Sequence, residues 1–482
     1  MDKLEVKIKN ATKWSIFTQL CTKLISPIVN MILARIFTPE IFGVVTTVIM
    51  ITTFADIFTD AGFQQYLIQH KFISKKEKKN YTDVAFWTNL FISLVLWGII
   101  SIYRDIIASA VGNSGLGYVI AIACVQLPIT SFSSIQMAIY RRELNFKPLF
   151  IAQVVGAIIP LIVTIPLAIV GFGFWSLIIG NICGEFVRAI ILTIKSEWKP
   201  QLYYNFAILK KMFSFSFWAL SETISLWFVS WIDSFLVGSI LNPYYLGLYK
   251  NSLSTVNSIM AIITGTITPI IFSSLSKLQD NNDEFRKFFL KTHRLLALVI
   301  FPIGVGLFLY RSLVTNIVLG EMWKEASMIV GISSLTLAIR IVTVSVYSDV
   351  YRAIGKPVVC LILQVLDLII IVPTCIISLK YGFWVFIFVR SFVRFDLIIP
   401  HLMAMQKIVG IQAKNISKNL VKPIMYSFVM ALLALGLQHL SDNIIWQITS
   451  IILCILFYIL INFIFSREDF EMIISLTRNK SK

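Results

Sequence analysis

The sequence predicts an all-α integral membrane protein of about fourteen transmembrane helices, and three observations carry that expectation. Hydrophobic residues make up 57% of the 482 positions and charged residues only 14%, against about 45–50% and about 25% in soluble domains. Mean hydropathy is +0.82, so the chain has too little charge to cover a water-facing surface. The apolar residues also fall into separate runs of roughly the 20 residues that a helix needs to cross a hydrocarbon core about 30 Å thick. Such runs must be helical, because only hydrogen bonds within the segment satisfy the backbone there. A soluble enzyme, a disordered chain and a nucleic-acid-binding domain are excluded.

In order, the runs cover residues 13–36, 41–66, 83–103, 115–139, 148–170, 174–194, 212–238, 250–274, 288–311, 327–350, 357–378, 382–405, 422–440 and 444–465. The first follows a basic start at Lys3, Lys7, Lys9 and Lys13. Lys23 and Pro27 interrupt it and no small-residue cleavage site follows, so it reads as a retained helix and not as a signal peptide.

The net charge of +17 is explained by topology. Counted on alternate sides of the fourteen runs, 31 of the 42 Lys and Arg fall on one side, 6 on the other and the remaining 5 within runs. That asymmetry predicts an even helix number with both termini cytoplasmic, and anionic lipid headgroups as partners of the basic side. Connections on the far side are short, the longest running from about Ser312 to Ala326, which leaves no room for an outer catalytic domain. The cytoplasmic stretches Gln65 to Tyr81 and Leu202 to Lys211 are amphipathic and read as interfacial segments.

An internal repeat appears at an offset of 204, which places Trp14 on Trp218, Ser26 on Ser230, Pro39 on Pro243 and Gly43 on Gly247. The turn Ile36 to Gly43 thus matches Ile240 to Gly247, with Thr38 or Asn242 leaving one helix and Pro opening the next. A second echo joins Tyr140-Arg141 and Lys147-Pro148 to Tyr351-Arg352 and Lys356-Pro357. A repeat of six helices keeps its direction across the membrane, so the sequence predicts six-helix lobes at 1–200 and 201–410 and an additional helix pair with a cytoplasmic tail at 411–482.

Several chemistries have no footing. No phosphate-binding G-x-x-x-x-G-K-[ST] occurs, and Gly171-Phe172-Gly173 lacks the spacing of a dinucleotide loop. Cys21, Cys124, Cys183, Cys360, Cys375 and Cys454 all lie in apolar runs without a C-x-x-C and read as small core residues. His70, His293, His401 and His439 are scattered, and no Ser/His/Asp arrangement can be argued. No cofactor, metal or enzymatic activity is expected; a transporter of this kind must draw on an ion gradient, the membrane potential or the gradient of its substrate.

Ionisable residues inside the runs cost roughly 2.5–3.5 kcal/mol each on insertion scales and usually face a polar interior. Glu185 and Arg188, three apart, can neutralise one another. Arg390 and Arg394 share one helix face and want an anion, either Asp367 from a neighbouring helix or a substrate phosphate. Lys23 and Arg340 read as isolated cations suited to an anion path. Asp56, Glu222, Asp233 and Asp367 are candidate carriers of a coupling proton or sodium ion, Glu222 and Asp233 sharing a face after three turns. Trp218, Trp227 and Trp231 offer aromatic surface for a sugar, although tryptophans in membrane helices more often serve packing or the interface.

The sequence resembles the polysaccharide transporters, or O-antigen-flippase type, of the multidrug/oligosaccharidyl-lipid/polysaccharide exporter superfamily. Leu33-Ala34-Arg35-Ile36-Phe37-Thr38-Pro39-Glu40-Ile41-Phe42-Gly43 is similar to the family's opening hairpin, and Phe54 to Phe63 with Leu67-Ile68-Gln69 to the end of its second helix. Asp233 to Gly238 with Leu246-Gly247-Leu248-Tyr249 resembles its seventh-helix repeat, and Leu319-Gly320-Glu321-Met322-Trp323 its outer turn. Phe58-Thr59-Asp60 departs from the usual form by polar substitution, which leaves the role of Asp60 open. The resemblance spans about residues 11–400 and implies a two-lobed, V-shaped protein of the bacterial cytoplasmic membrane. Such a protein moves a polyprenyl-pyrophosphate-linked oligosaccharide to the outer leaflet by alternating access, for O-antigen, capsule or exopolysaccharide, with lipid and other glycan-assembly proteins as the partners the resemblance implies. It further implies a cavity near helices 1, 2, 7 and 8, favouring Lys23, Asp56, Glu222 and Asp233 over Arg390 and Arg394. The alternatives are a multidrug exporter of the same superfamily and a membrane enzyme such as a polysaccharide polymerase.

Overall fold

The computed structural model describes residues 3–60, 62–279 and 281–466, all helices, turns and short connections, with no strand among them. They form two compact units, divided between Lys250 and Asn251. The first holds α1 (Lys3–Ile36), α2 (Pro39–Asp60), α3 (Phe63–Gln69), α4 (Lys75–Ile102), α5 (Arg104–Ala110), α6 (Gly117–Ala123), α7 (Gln126–Arg142), α8 (Phe146–Ile169), α9 (Phe174–Lys195), α10 (Phe206–Ile240) and the start of α11 (Pro243–Lys277). The second completes α11 and adds α12 (Asn282–Leu309), α13 (Arg311–Val318), α14 (Ala326–Arg340), α15 (Val346–Ala353), α16 (Pro357–Lys380), α17 (Phe383–Val393), α18 (Ile398–Ala404), α19 (Ala413–Gln438) and α20 (Ile444–Phe465).

Eleven spans are long and apolar enough to cross a bilayer among the described residues. They correspond to eleven of the fourteen runs. The first run lies on α1, a helix of 34 residues whose described apolar part is Pro27–Ile36, and the eighth on α11, a helix of 35 residues. The twelfth is broken in its middle, where Arg394 to Leu397 form turns between α17 and α18.

Helix starts follow local chemistry. Ser74 caps α4 by accepting from the Glu77 amide at 3.1 Å, while the Glu77 carboxylate accepts from the Ile73 amide at 2.6 Å, a variant of the reciprocal capping box. Asn281 and Asn443 cap α12 and α20, and Pro357 opens α16. α3 is closed by a side chain from elsewhere: Arg142 donates to the carbonyls of Leu67, Ile68 and His70 at 2.6, 3.1 and 2.7 Å, with its guanidinium over the Phe72 ring. A cation at these otherwise orphaned carbonyls satisfies both the hydrogen bonds and the helix dipole.

Within the first unit, α8 and α9 pack closely, with Thr164 donating to the Ser176 carbonyl, and Arg188 forks onto Glu185 at 2.7 and 2.9 Å, as their spacing leads one to expect. The second unit is built around Phe289, Tyr347 and Tyr351, all fully buried. Two π-helical turns interrupt it at Ile341–Ser345 and Met405–Val409. His293 meets the Val342 carbonyl in the first of these at 3.1 Å, and Tyr351 donates to the carbonyl of His401 at 3.0 Å. Outward faces are apolar: Ile369 on α16 is 64% exposed and Ile445 on α20 is 73% exposed, as lipid-facing positions should be.

Replacing Arg142 with Ala is expected to speed amide exchange across residues 66–70 by about tenfold or more, since hydrogen bonds to charged groups contribute about 1.5–3 kcal/mol each. Hydrogen exchange of the purified protein checks this, and unchanged protection in α3 would contradict it.

Candidate functional site

The first unit brings Asp56 and Trp227 to one place. Asp56, on the last third of α2, accepts from Thr130 of α7 at 3.1 Å and lines a cavity of about 290 Å³ with Thr53, Ile57, Gln65, Leu220 and Thr223. One turn before Asp56, Thr53 accepts from the Trp227 indole of α10 at 3.2 Å. Trp227 thereby marks the edge of the polar space while its ring joins an aromatic row. Phe58 meets Phe54 with ring centroids 5.2 Å apart, Phe54 meets Trp227 at 4.7 Å, and Trp227 stacks with Trp231 at 6.4 Å. The row ends at Lys250, whose ammonium sits 3.8 Å from the centre of the Trp231 ring and donates to the Ser230 carbonyl at 3.3 Å.

Asp233 is buried beside this row but is occupied structurally. Its Oδ1 accepts from the Ser234 amide at 2.7 Å and its Oδ2 from the Tyr249 hydroxyl at 2.8 Å, which ties α10 to α11. The side chains of Lys23, Trp218 and Glu222, and that of Asp60, lie outside the described residues. A carboxylate lining a cavity next to stacked rings suits a hydroxyl-rich ring, whose C–H faces pack on the aromatics and whose hydroxyls donate to the acid.

The remaining sequence candidates gather in the second unit. Arg340 of α14 donates to Asp367 of α16 at 2.7 Å, so Arg340 is not the isolated cation that its sequence surroundings suggest. The two helices are separated in sequence by α15, and only their packing reveals the pair. Asp367 is almost fully buried, with 2% of its side chain exposed. Arg390 and Arg394 are also buried, and Arg394 reaches Thr336 of α14 at 3.4 Å. Asp396, which sequence reading passed over, stands in the turn between α17 and α18 with both carboxylate oxygens buried and no hydrogen-bond partner among the described residues. The place of Lys250 beside Trp231 depends on the pairing of α10 with α11, for which a lysine at the edge of an apolar run gives no clear signal.

The second unit also contains an apolar groove of about 620 Å³ between α12, α19 and α20, lined by Leu298, Pro302, Ile303, Met430, Ile455 and Ile459. Tyr310 bonded to Ser450 and Tyr458 bonded to the Leu298 carbonyl hide their polar ends at its walls.

Removing one partner of a buried ion pair leaves an uncompensated charge, at a cost of about 3–5 kcal/mol, whereas replacing both with apolar residues is often neutral. Asp367→Asn is therefore expected to lower the thermal unfolding midpoint in detergent, and Asp367→Leu combined with Arg340→Met to recover most of the loss. Equal destabilisation by the single and double variants would contradict the pairing.

The family model described as "Polysaccharide biosynthesis protein" matches residues 32–328. The chain is 25% identical over 326 residues to an uncharacterized membrane protein in the cps region of Klebsiella pneumoniae, covering 66% of each. It is 22% identical over 328 residues to the lipopolysaccharide biosynthesis protein WzxC of Escherichia coli K12, covering 67% of this chain and 65% of that one. The chain thus matches about two thirds of the length of these curated relatives. Its fold is that of the lipid II flippase MurJ in an inward closed conformation, with a TM-score of 0.74 at 18% identity over 94% of this chain and 99% of MurJ. An inward-facing multidrug resistance MATE transporter is similar at a TM-score of 0.59 and 15% identity, over 82% of this chain and 96% of that one. With the family match covering more than half of its length, the chain belongs to the polysaccharide biosynthesis protein family.

Proposed function

We propose that this chain is a flippase that carries a polyprenyl-pyrophosphate-linked oligosaccharide across the cytoplasmic membrane for the assembly of a surface polysaccharide. The observation that carries this reading is the polar cavity at Asp56 bordered by the aromatic row Phe54, Trp227 and Trp231, a hydroxyl-binding and ring-stacking surface inside membrane-spanning helices. Relatives named as the succinoglycan biosynthesis transport protein ExoT of Rhizobium meliloti and a putative O-antigen transporter of Shigella flexneri support the same substrate class. Lys250 at the end of the row, with Lys23, supplies charge suited to a phosphate, and Arg390 and Arg394 are further candidates within the second unit. Asp56, Glu222, Asp233 and Asp367 are the candidates for coupling an ion. The groove between α12, α19 and α20 offers an apolar bed for the polyprenyl tail, which must stay in hydrocarbon while its headgroup crosses.

In this reading the basic connections and both termini face the cytoplasm, the repeat divides the chain into lobes at 1–200 and 201–410, and residues 411–482 form the added pair. The substrate enters from the cytoplasmic leaflet, its sugars settle on the aromatic row, and release follows on the other face. One observation favours a second reading, export of a cationic drug: among the described residues the cavity's one charged lining group is the carboxylate of Asp56, which attracts a cation.

Cells lacking the gene separate these readings. The flippase reading predicts lipid-linked oligosaccharide that accumulates out of reach of an impermeant lectin, and restored access with the intact gene. Trp227→Ala is expected to restore export several-fold less well, for the loss of about 1 kcal/mol of stacking, and Trp227→Phe to restore most of it. Lipid-linked glycan that reaches the outer leaflet without the gene would overturn the reading; if drug sensitivity rises at the same time, the exporter takes its place.

A further inference from the structure

The aromatic row of the first unit has a direction, set by its two ends. On α10, Leu220 and Thr223 line the cavity of Asp56, Trp227 follows Thr223 by one turn, and Trp231 follows by one turn more, beside Lys250. From Thr223 to Trp231 the helix rises about 12 Å, so a carboxylate and an ammonium stand at opposite ends of one row. Between them three rings follow one another. Trp231 and Trp227 lie nearly parallel, at 23° with centroids 6.4 Å apart, and Phe54 of α2 continues at 4.7 Å with a tilt of 54°. Phe58 then meets Phe54 edge-on, at 76°, which ends the run of faces. Trp231, Trp227 and Phe54 are each half-buried, so part of every ring stays open.

Taking the substrate to be the lipid-linked glycan of the flippase reading, we propose that Trp231, Trp227 and Phe54 are three consecutive sugar subsites with a fixed polarity. Trp231 takes the sugar next to the diphosphate, Trp227 the second and Phe54 the third, so the first unit selects glycans of at least three sugars. The polarity follows from charge. An ammonium has three protons to donate, and Lys250 gives one to the Ser230 carbonyl and offers its charge to a phosphate oxygen. At the other end the carboxylate of Asp56 repels the same anion and accepts from sugar hydroxyls. A diphosphate at Lys250 therefore places the first sugar against Trp231, and the chain steps onward at ring spacings close to the repeat of a pyranose chain. Beyond Phe54 the wall changes from ring faces to the cavity of Asp56 and Gln65, which hydrogen-bonds a further sugar but does not stack it. The gain from stacking ends with the third sugar.

The test measures binding of farnesyl diphosphate-linked glucose chains, one to five sugars long, to the purified full chain in lipid nanodiscs. Affinity is expected to rise about fivefold with the second sugar and again with the third, then to level off. Trp231→Ala is expected to weaken every length by about fivefold, whereas Phe54→Ala weakens chains of three or more sugars and leaves the one- and two-sugar ligands unchanged. A role in packing alone would move all lengths together. Phe54→Leu, which keeps apolar volume and loses the ring, carries the same test if the alanine variant does not fold. Lys250→Gln is expected to weaken the diphosphate-linked chains and to leave binding of the free oligosaccharides unchanged. Affinity that does not depend on length would overturn the proposal, as would length dependence that Trp231→Ala abolishes only for the longer chains. Either result leaves the flippase reading standing, whereas absence of binding at every length overturns both.

Discussion

Inside a bilayer every backbone amide and every charge has to find its partner within the protein, and this requirement shapes each part of the molecule. It makes the chain helical. It also explains why the ionisable side chains are engaged: Glu185 with Arg188, Asp367 with Arg340, Asp233 with Ser234 and Tyr249. Where helices end or break near the membrane, the freed carbonyls are met by borrowed donors, as in the capping of α3 by Arg142. A carboxylate that borders a cavity in such a setting is informative, because the same requirement disfavours placing it there.

Asp56 is that group in the first unit. It accepts from Thr130, it borders a cavity, and the indole of Trp227 is anchored one turn away on Thr53. The anchor matters physically, since it fixes the ring plane that begins the aromatic row. Lys250 closes the row with a charge held against the Trp231 ring. The second unit differs in character: its charges are buried among one another around Arg340 and Asp367, next to a π-helical turn and a broken helix, while its groove is almost purely apolar. Interrupted helices beside buried charge are a recurrent feature of transport sites.

The fold class was legible because spanning a bilayer demands length and apolarity together, and eleven runs meet both tests. The twelfth run is broken in its middle, where the chain turns at Arg394 to Leu397. The repeat was visible as matched Pro and Gly positions, yet that the two turns touch each other is a tertiary fact with no trace in the offset. Spacing sufficed for Glu185 with Arg188, which share one helix, but not for Arg340 with Asp367, which meet across two. Trp227 was legible as a residue type and became a site residue only through its neighbours on α2, while Lys250 and Asp396 needed the packing of other helices to stand out.

The central claim is that this chain by itself moves a lipid-linked glycan between leaflets. Its most direct measurement is translocation in proteoliposomes that contain only the purified protein and a polyprenyl-diphosphate oligosaccharide, followed by cleavage of the exposed glycan with an impermeant glycosidase. Cleavage that exceeds the half initially exposed, and falls back toward half when Asp56→Asn and Trp227→Ala are combined, is the predicted result. Cleavage that stops at half with the unaltered protein, under imposed proton and sodium gradients alike, would contradict it.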